Sequence, residues 1–426
     1  MNRGFYIIMA AQFCSALADN ALLIAAISLL IDFFHHPEYS PLLKFYFTVS
    51  YVVLAPFVGA FADSMPKGKV MLISNTIKLF GCILLLLNVH PLLAYGIVGL
   101  GAAAYSPAKY GILTELLPPN QLVLANAWIE GLTVTAIILG TVVGGVLINP
   151  SISTHLLQFD LPGIETGIDT APEMAISLIS IFYLFAALFN CYVPNTGVDH
   201  KPVKRNPWFL VRDFGHCVRL LWTDKLGQIS LAVTTLFWAA GATLQFIVLD
   251  WSKAALGLSL DKASMLQGVV AIGVAIGAIT AARIIPIHKS IKVLPVGAMM
   301  GVFVISMVAV TYLPLAMILL ILIGAIAGFF VVPMNALLQH RGHILVGAGH
   351  SIAVQNFNEN AGILIMVGTY YLLHKADVSV NGAVIIFGLF VSTIMLFIMN
   401  WHRCNVTRQG PEIEKLLDVA RTSHHP

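Results

Sequence analysis

Twelve apolar runs, each long enough to approach or complete a membrane crossing, are the feature of this chain that leaves the fewest folds open. A helix needs about 20 predominantly apolar residues to cross the hydrocarbon core of a bilayer. The runs cover residues 4–31, 45–62, 70–89, 92–108, 124–148 and 172–193, then 228–251, 264–284, 293–313, 314–338, 345–373 and 382–401. The expected fold class is an all-α polytopic membrane protein with twelve transmembrane helices. Composition agrees: 58% of the residues are hydrophobic and 10% charged, whereas soluble domains carry roughly 25% charged residues. A water-soluble chain is excluded. The start of the chain superficially resembles a signal peptide, with Arg3, an apolar stretch and then Ala16-Leu17-Ala18. Its apolar run continues unbroken to Ile31, so it reads as a retained first helix.

The basic residues orient the spans. An even number of crossings puts both termini on one side, and the loops of that side take 18 of the 23 Lys and Arg residues, including all nine arginines. The other side holds Lys44, Lys253, Lys262 and Lys375, and Lys78 lies within a span. By the positive-inside rule the termini are cytoplasmic. The opposite loop at 149–172 carries Asp160, Glu165 and Asp169 without a Lys or Arg, as fits an external connection.

The longest polar segment separates six spans from six. It divides the chain into an N-terminal half (1–193), a cytoplasmic linker (194–227), a C-terminal half (228–401) and a cytoplasmic tail (402–426). Within the linker, Trp208, Val211, Gly215, Val218 and Leu221/Trp222 recur at helical spacing, with Arg212, His216 and Arg219 on another face. That pattern fits a basic amphipathic helix at the inner membrane surface and equally a linker helix packed on the bundle. The halves echo each other: GAAAYSPAK (101–109), late in span four, resembles AGFFVVPMN (327–335), late in span ten, and DSMPKGKVM (63–71) is echoed more weakly by HKSIKVL (288–294). Two six-helix halves joined by a cytoplasmic linker is the architecture of the major facilitator fold, in which the binding site lies between the halves.

Three acids and one lysine lie away from the span ends: Asp19, Glu130, Glu359 and Lys78. A charge at bilayer depth costs at least about 2.5 to 3.5 kcal/mol on insertion scales, so such residues mark substrate or ion paths or ties between helices. Gln12, Ser15 and Asp19 share one face of the first span. Asn126, Glu130 and Thr133 share a face of span five, Trp238, Gly241 and Gln245 one of span seven, and Gln355, Asn356, Glu359 and Asn360 one of span eleven. Polar stripes on membrane-crossing helices imply a shared wet cavity. Lys78 follows Lys69 by nine residues, about 13 Å deeper at 1.5 Å rise per residue, and needs an anionic partner in Asp19 or a substrate phosphate. Glu130, near the cytoplasmic end of its span, reads as a gate or an inter-helix tie. In GAFADSMPKGK (59–69), Asp63 can cap and pair at a helix end while Lys67 and Lys69 hold the membrane boundary, which makes a conformational latch.

Other motifs read as structural. Gly140/Gly144, Gly273/Gly277 and Gly324/Gly328 are small-xxx-small pairs for close helix packing. Five scattered cysteines form no C-x-x-C pair and read as reduced apolar residues. His340-x-x-His343 around Arg341 reads as a solvated basic turn and His35-His36 as a surface pair. No metal site, cofactor or nucleic-acid partner is expected, and no G-x-x-x-x-G-K-[ST] loop is present for ATP. No mid-span histidine stands beside a Ser or Cys at a spacing suited to an intramembrane enzyme.

Five strings, AQFCSALADNALL (11–23), APFVGAFADSMPKGKVM (55–71), GAAAYSPAKYGILTEL (101–116), FFVVPMNALLQ (329–339) and AVQNFNEN (353–360), resemble the bacterial lysophospholipid transporters of the major facilitator superfamily. The resemblance extends over the chain apart from 149–172 and the tail. It implies a multi-pass protein of the bacterial inner membrane that flips lysophospholipids, notably lysophosphatidylethanolamine, from outer to inner leaflet without ATP. A separate acyltransferase/acyl-carrier-protein synthetase would re-acylate them. It also implies that Asp19, in the LADN string with Asn20, is the family's central acid, and that Lys109 and Glu115 belong to a side gate. Span seven departs from the resemblance, with Gln245 where a relative has arginine, so that a headgroup role there passes to the Gln245 amide or to Lys78. The expected substrate residues are Gln12, Asp19, Asn20, Lys78, Trp238, Gln245, Gln355, Asn356 and Glu359; the expected gating residues are Asp63, Lys67, Lys109, Glu115 and Glu130. The competing function is a proton-coupled exporter of drugs or metabolites, with Asp19 or Glu359 as proton carrier.

Overall fold

The computed structural model describes residues 3–34, 40–157, 169–198, 206–258 and 260–422. His35-His36, Asp160, Glu165, Lys201, Lys204 and Arg205 lie outside the described residues. Helix is the only regular structure among those described. The helices are α1 (Arg3–Phe34), α2 (Ser40–Val53), α3 (Ala55–Asp63), α4 (Lys67–Leu86), α5 (Pro91–Leu116), α6 (Pro119–Ile148), α7 (Pro150–Leu157) and α8 (Ala171–Cys191). There follow α9 (Pro207–Thr223), α10 (Gly227–Leu256), α11 (Leu260–Ile284), α12 (Leu294–Ser306), α13 (Leu313–Val346), α14 (Ala348–Lys375) and α15 (Val380–Thr422). Nine of them, with short 3-10 turns extending α12, are long and apolar enough to cross a membrane, and the α2–α3 pair makes a tenth. α5 and α14, of 26 and 28 residues, have the length but carry more polar residues.

Prolines explain where the spans depart from straight rods. The expected second span is two helices bent by 63° at Leu54. Pro56 sits in the first turn of α3, where its missing N–H and its ring break the ladder of the preceding helix. In the ninth run the α-helix is only 13 residues, opened by Pro295 and flanked by 3-10 turns over Ile287–Val293 and Met307–Ala309. Pro107 and Pro333, the matched prolines of the two echoing strings, both lie inside continuous helices. α8 begins with a capping box in which Thr170 and Glu173 satisfy each other's backbone N–H.

Two corrections concern the polar ends. α13 runs to Val346 and only Gly347 separates it from α14, so His340 and Arg341 are buried in a helix and not in a solvated turn. Arg341 donates to both oxygens of Asp224, at 3.2 and 2.6 Å. α9 does form in the linker, but the stripe it buries is Leu210, Phe214, Cys217 and Leu221, while Trp208 and Val211 face outward. The helix carries two apolar stripes, and its periodicity alone does not say which one meets protein. α15 kinks at Gln409 before Pro411, and beyond the kink Ile413 is buried with Leu226 and Leu337.

The chain folds as two compact units. The first is Met1–Ile112, Thr135–Phe214 and Ala348–Ala353; the second is Leu113–Val134, Gly215–Gly347 and Val354–Pro426. In the first, α1 and α4 pack on α8 around a core that includes Leu22, Leu29, Cys82, Ile179 and Tyr183. Gly140 and Gly144 of α6 lie against α1, where a Cβ would meet the backbone of Leu17 and Ala21. In the second, α11 interlocks with α13, with Gly273 and Gly277 on the Ile321–Ala325 backbone and Gly324 and Gly328 on Val270 and Val274. Each glycine lets two backbones approach where a methyl group would hold them apart.

Candidate functional site

In the first unit, Ser15 and Asp19 lie one turn apart on α1, and α4 presents Asn75 and Lys78 toward them. The Lys78 ammonium donates to Asp19 Oδ1 at 2.8 Å, Asp19 Oδ2 at 2.7 Å and Ser15 Oγ at 2.9 Å. Its three hydrogens thus have three acceptors. Ser15 in turn donates to Asn75 Oδ1 at 2.9 Å. Tyr183 of α8 donates its hydroxyl to Asp19 Oδ1 at 2.7 Å, and Tyr95 of α5 donates to the Asp19 carbonyl at 3.4 Å. The rings of Tyr105 and Tyr183 flank the ammonium, 5.1 and 5.5 Å from Nζ, and their π-faces attract a cation. Gly101 of α5 makes room for the lysine stem, since a Cβ there would lie 2.7 Å from Lys78 Cγ.

The pair is asymmetric in its exposure. The Lys78 side chain is 2% accessible and that of Asp19 is 19%. The cation is therefore dry and the carboxylate reachable. A desolvated ion pair is stable only while both partners stay, because removing one leaves a buried charge uncompensated. Asn75 Nδ2 and the Tyr105 hydroxyl are buried beside the pair and find no hydrogen-bond partner among the described residues. They are polar atoms that a bound polar group could satisfy.

In the second unit the buried polar groups form a chain linked by amides. Asn335 of α13 donates to Glu130 Oε1 of α6 at 3.3 Å, and accepts from Gln355 Nε2 of α14 at 3.0 Å. Gln355 Nε2 also donates to Glu359 Oε1 at 2.7 Å. One turn away, Asn126 and Gln339 exchange a reciprocal pair of bonds, each 2.8 Å. The structure so brings Glu130, Gln355 and Glu359 into one network, with Asn335 as the bridge.

Asp63 sits where α3 ends and α14 begins, all within the first unit. Its carboxylate accepts from Lys67 Nζ at 2.7 Å, Gly349 N–H at 2.7 Å, His350 N–H at 3.1 Å and the His350 ring Nδ1 at 2.6 Å. Lys67, itself buried, also donates to the Ala62 carbonyl at 2.7 Å. An acid at a helix N-terminus satisfies orphan N–H groups and meets the positive end of the helix dipole. His350 Nε2 faces Asp213 of α9 at 3.6 Å. The imidazole thus stands between two carboxylates.

The remaining expected residues are placed as follows. Gln12 is buried on the α1 face of Ser15 and Asp19. Asn20 turns back on its own helix, donating to the Ala16 carbonyl at 2.8 Å, and its Cβ packs near Gly140. Its amide is thus held away from the ion pair. Trp238 is half-buried, edge-on to Phe237. Gln245 is exposed and donates to Gln267 of α11 at 2.7 Å. Asn356 is buried, its carbonyl accepting from Asn360 Nδ2. Lys109 lies over the Tyr110 ring at 4.3 Å, and Glu115 is half-buried. Sequence reasoning did not single out Tyr183, Tyr105, Asn335, Gln339 or His350 as site residues. Tyrosines and amides in apolar helices carry no charge to mark them; only the echo between GAAAYSPAK and AGFFVVPMN marked the segment that ends in Asn335.

The comparisons with known proteins converge. The family described as Major Facilitator Superfamily matches residues 8–367. The lysophospholipid transporters LplT of Yersinia pestis (strain Pestoides F) and Yersinia pseudotuberculosis serotype O:3 (strain YPIII) are each 41% identical over 377 residues, 88% of this chain and 88% of theirs. Among solved structures, the human organic anion transporter MFSD10 superposes with a TM-score of 0.71 at 15% identity, covering 94% of this chain and 100% of that one. The E. coli fucose:proton symporter FucP gives 0.70 at 14% identity, covering 93% and 98%. A bacterial homologue of the iron transporter ferroportin in an outward-facing state gives 0.70 at 12%, covering 94% and 99%. At those identities the structural likeness carries the fold alone.

Proposed function

Because this chain belongs to the major facilitator superfamily, and is a membrane transporter and not an enzyme, we propose that its cargo is a lysophospholipid, lysophosphatidylethanolamine above all. It moves the lipid from the outer to the inner leaflet of a bacterial inner membrane by ATP-independent alternating access. A separate acyltransferase/acyl-carrier-protein synthetase then restores the missing acyl chain. Both termini are cytoplasmic, a reading that rests on the placement of all nine arginines.

The observation that carries the proposal is the Lys78–Asp19 pair, with one charge of each sign and a reachable carboxylate. A zwitterionic headgroup offers a phosphate to the ammonium and an ammonium to the carboxylate. Exchange of partners then leaves no charge uncompensated at any step, which is the condition for opening a desolvated pair at tolerable cost. The acyl chain needs no polar cavity, because the helices already present apolar side chains to lipid. Asp63 and its donors act as the latch at the cytoplasmic end, and the Glu130–Asn335–Gln355–Glu359 chain ties α6, α13 and α14.

Labelled lysophosphatidylethanolamine followed in proteoliposomes, with and without ion gradients, tests this reading. Wild-type protein should flip the lipid without a gradient, and Asp19→Asn should not. An Asp19→Asn protein working at the wild-type rate overturns the headgroup role. The buried carboxylate Glu359 favours a second reading, a proton-coupled exporter with Asp19 or Glu359 as proton carrier, and transport that collapses with the pH gradient would establish it in place of the first.

A further inference from the structure

Beside the ion pair of the first unit runs a hydrogen-bond relay with a fixed direction. An ammonium can only donate, so Ser15 Oγ accepts from Lys78 at 2.9 Å and must pass its own hydrogen onward. That hydrogen goes to Asn75 Oδ1, also at 2.9 Å. The Asn75 amide is thereby oriented with Nδ2 and its two hydrogens at the far end, where they meet no acceptor among the described residues. Tyr105 stands in a similar position. Gly101, one turn earlier on α5, lets that helix close on the Lys78 stem, which brings the Tyr105 ring 5.1 Å from Nζ. Its hydroxyl too is without a partner among those residues. The two residues are 0% and 4% exposed, so bulk water does not serve either group. Folded proteins pair nearly all such groups, and two orphan donors beside one cation call for an acceptor from outside the chain.

We propose that Asn75 Nδ2 and the Tyr105 hydroxyl donate, together with Lys78, to the phosphate of the cargo, and that these two residues make the site selective for a phosphodiester. The proposal rests on the lysophospholipid reading of the same site. The donor set decides the chemical class. Asn75 Nδ2 and the ammonium cannot accept, the phenol has a hydrogen to give, and a phosphate oxyanion only accepts. Hydrogen bonds to such an anion are charge-assisted and stronger than neutral ones. Lys78 brings one positive charge and its two neighbours are neutral, so the matching anion is singly charged, as a phosphodiester is. Ser15 also lets the exchange proceed in place. It keeps its bond to the ammonium when Asp19 leaves, so Lys78 stays where it is and the two hydrogens that Asp19 held turn to the phosphate. The free glycerol hydroxyl of a lysolipid is the other group that neutral donors could take, and it is separable by experiment.

Full-length protein in maltoside detergent tests this separately from transport, with affinity read from the concentration dependence of its thermal stabilisation. Three lipids are compared: lysophosphatidylethanolamine, its uncharged O-methyl phosphotriester, and its deoxy form, which lacks the free glycerol hydroxyl. The wild type should bind the phosphodiester about ten-fold or more tighter than the phosphotriester, as the loss of charge-assisted bonds implies. It should bind the deoxy form as tightly as the parent lipid. Asn75→Leu and Tyr105→Phe should each weaken the phosphodiester several-fold and leave the phosphotriester unchanged, so that the ratio narrows. Should Asn75→Leu fail to fold, Tyr105→Phe, which keeps the ring beside Lys78, carries the test. A ratio that neither variant alters overturns the inference, because a loss of packing alone weakens both lipids alike. A preference for the parent over the deoxy form that the variants erase also overturns it, in favour of hydroxyl recognition. Binding with the expected ratios but no flipping in proteoliposomes overturns transport of this cargo and leaves the phosphate site standing. Flipping with an unaltered ratio does the reverse, and a wild type that binds no lysolipid overturns both.

Discussion

Each unit buries a direct ion pair, Asp19–Lys78 in the first and Asp224–Arg341 in the second, but the acids buried in mid-helix are held differently in the two. In the first, a carboxylate and an ammonium face each other directly, at 2.7 Å, with tyrosines around them. In the second, carboxylates on α6 and α14 are joined through neutral amides, Asn335 and Gln355. A direct ion pair in a desolvated place behaves as a switch: it is either closed or open, and opening needs something that replaces both charges. An amide chain tolerates rearrangement, because each link is a neutral donor that can move to a neighbouring acceptor. Under the proposed function, headgroup exchange belongs to the first unit and helix tying to the second.

The largest expected effect comes from breaking the pair. Lys78→Met leaves Asp19 uncompensated and should cost about 3–5 kcal/mol, the range for halving a buried ion pair. Asp19→Asn should do the same to Lys78, tempered by the partial exposure of position 19. The double variant Asp19→Asn/Lys78→Met should recover most of the lost thermal stability in detergent but none of the lysolipid flipping. Recovery of transport as well would make the pair structural and erase the contrast between the units.

Next comes the amide chain. Gln355→Leu removes the donor shared by Asn335 and Glu359, and leaving buried acceptors unmatched costs about 1–3 kcal/mol. Thermal stability should fall while the apparent affinity for lysolipid, read from the concentration dependence of flipping, stays unchanged. A weakened affinity would move the binding role into the second unit.

Tyr183→Phe deletes one charge-assisted bond to Asp19 and keeps the ring beside Lys78. A loss of about 1.5–3 kcal/mol is the upper range for such a bond, reduced here because Lys78 still holds both carboxylate oxygens. It should slow flipping more than it destabilises the fold, which separates it from Gln355→Leu. Smallest of all, Gln245→Ala changes an exposed pair with Gln267 and should alter stability by no more than about 0.5 kcal/mol. A large transport defect in that variant would restore Gln245 to the headgroup site.

The parts legible in the sequence were those set by composition along one helix. The apolar runs, and the placing of Asp19 and Lys78 well inside two of them, follow from hydropathy and a 1.5 Å rise. The stripe Gln12, Ser15 and Asp19 needed only the helical period. Asp63 was readable as a cap in search of a helix end, but the helix, α14, and the ring of His350 were not. Asn20 fits its family string and still folds back on Ala16, because a side-chain amide on a helix has a carbonyl four residues earlier within reach.

By itself the sequence determined that this chain spans membranes as helices, since apolar runs of that length have no other way to satisfy their backbone. It also determined that Lys78 needs an anion at depth. Tertiary structure decided which anion, and that choice depended on α1, α4 and α8 packing together so that Asp19 and Tyr183 reach the same point. It decided, too, that α13 continues through Arg341 to Val346 and that α9 buries Leu210 and Phe214 in place of Trp208. In each case the local pattern allowed two answers. Packing against a neighbour separated them, because a surface is buried only where another surface exists to cover it.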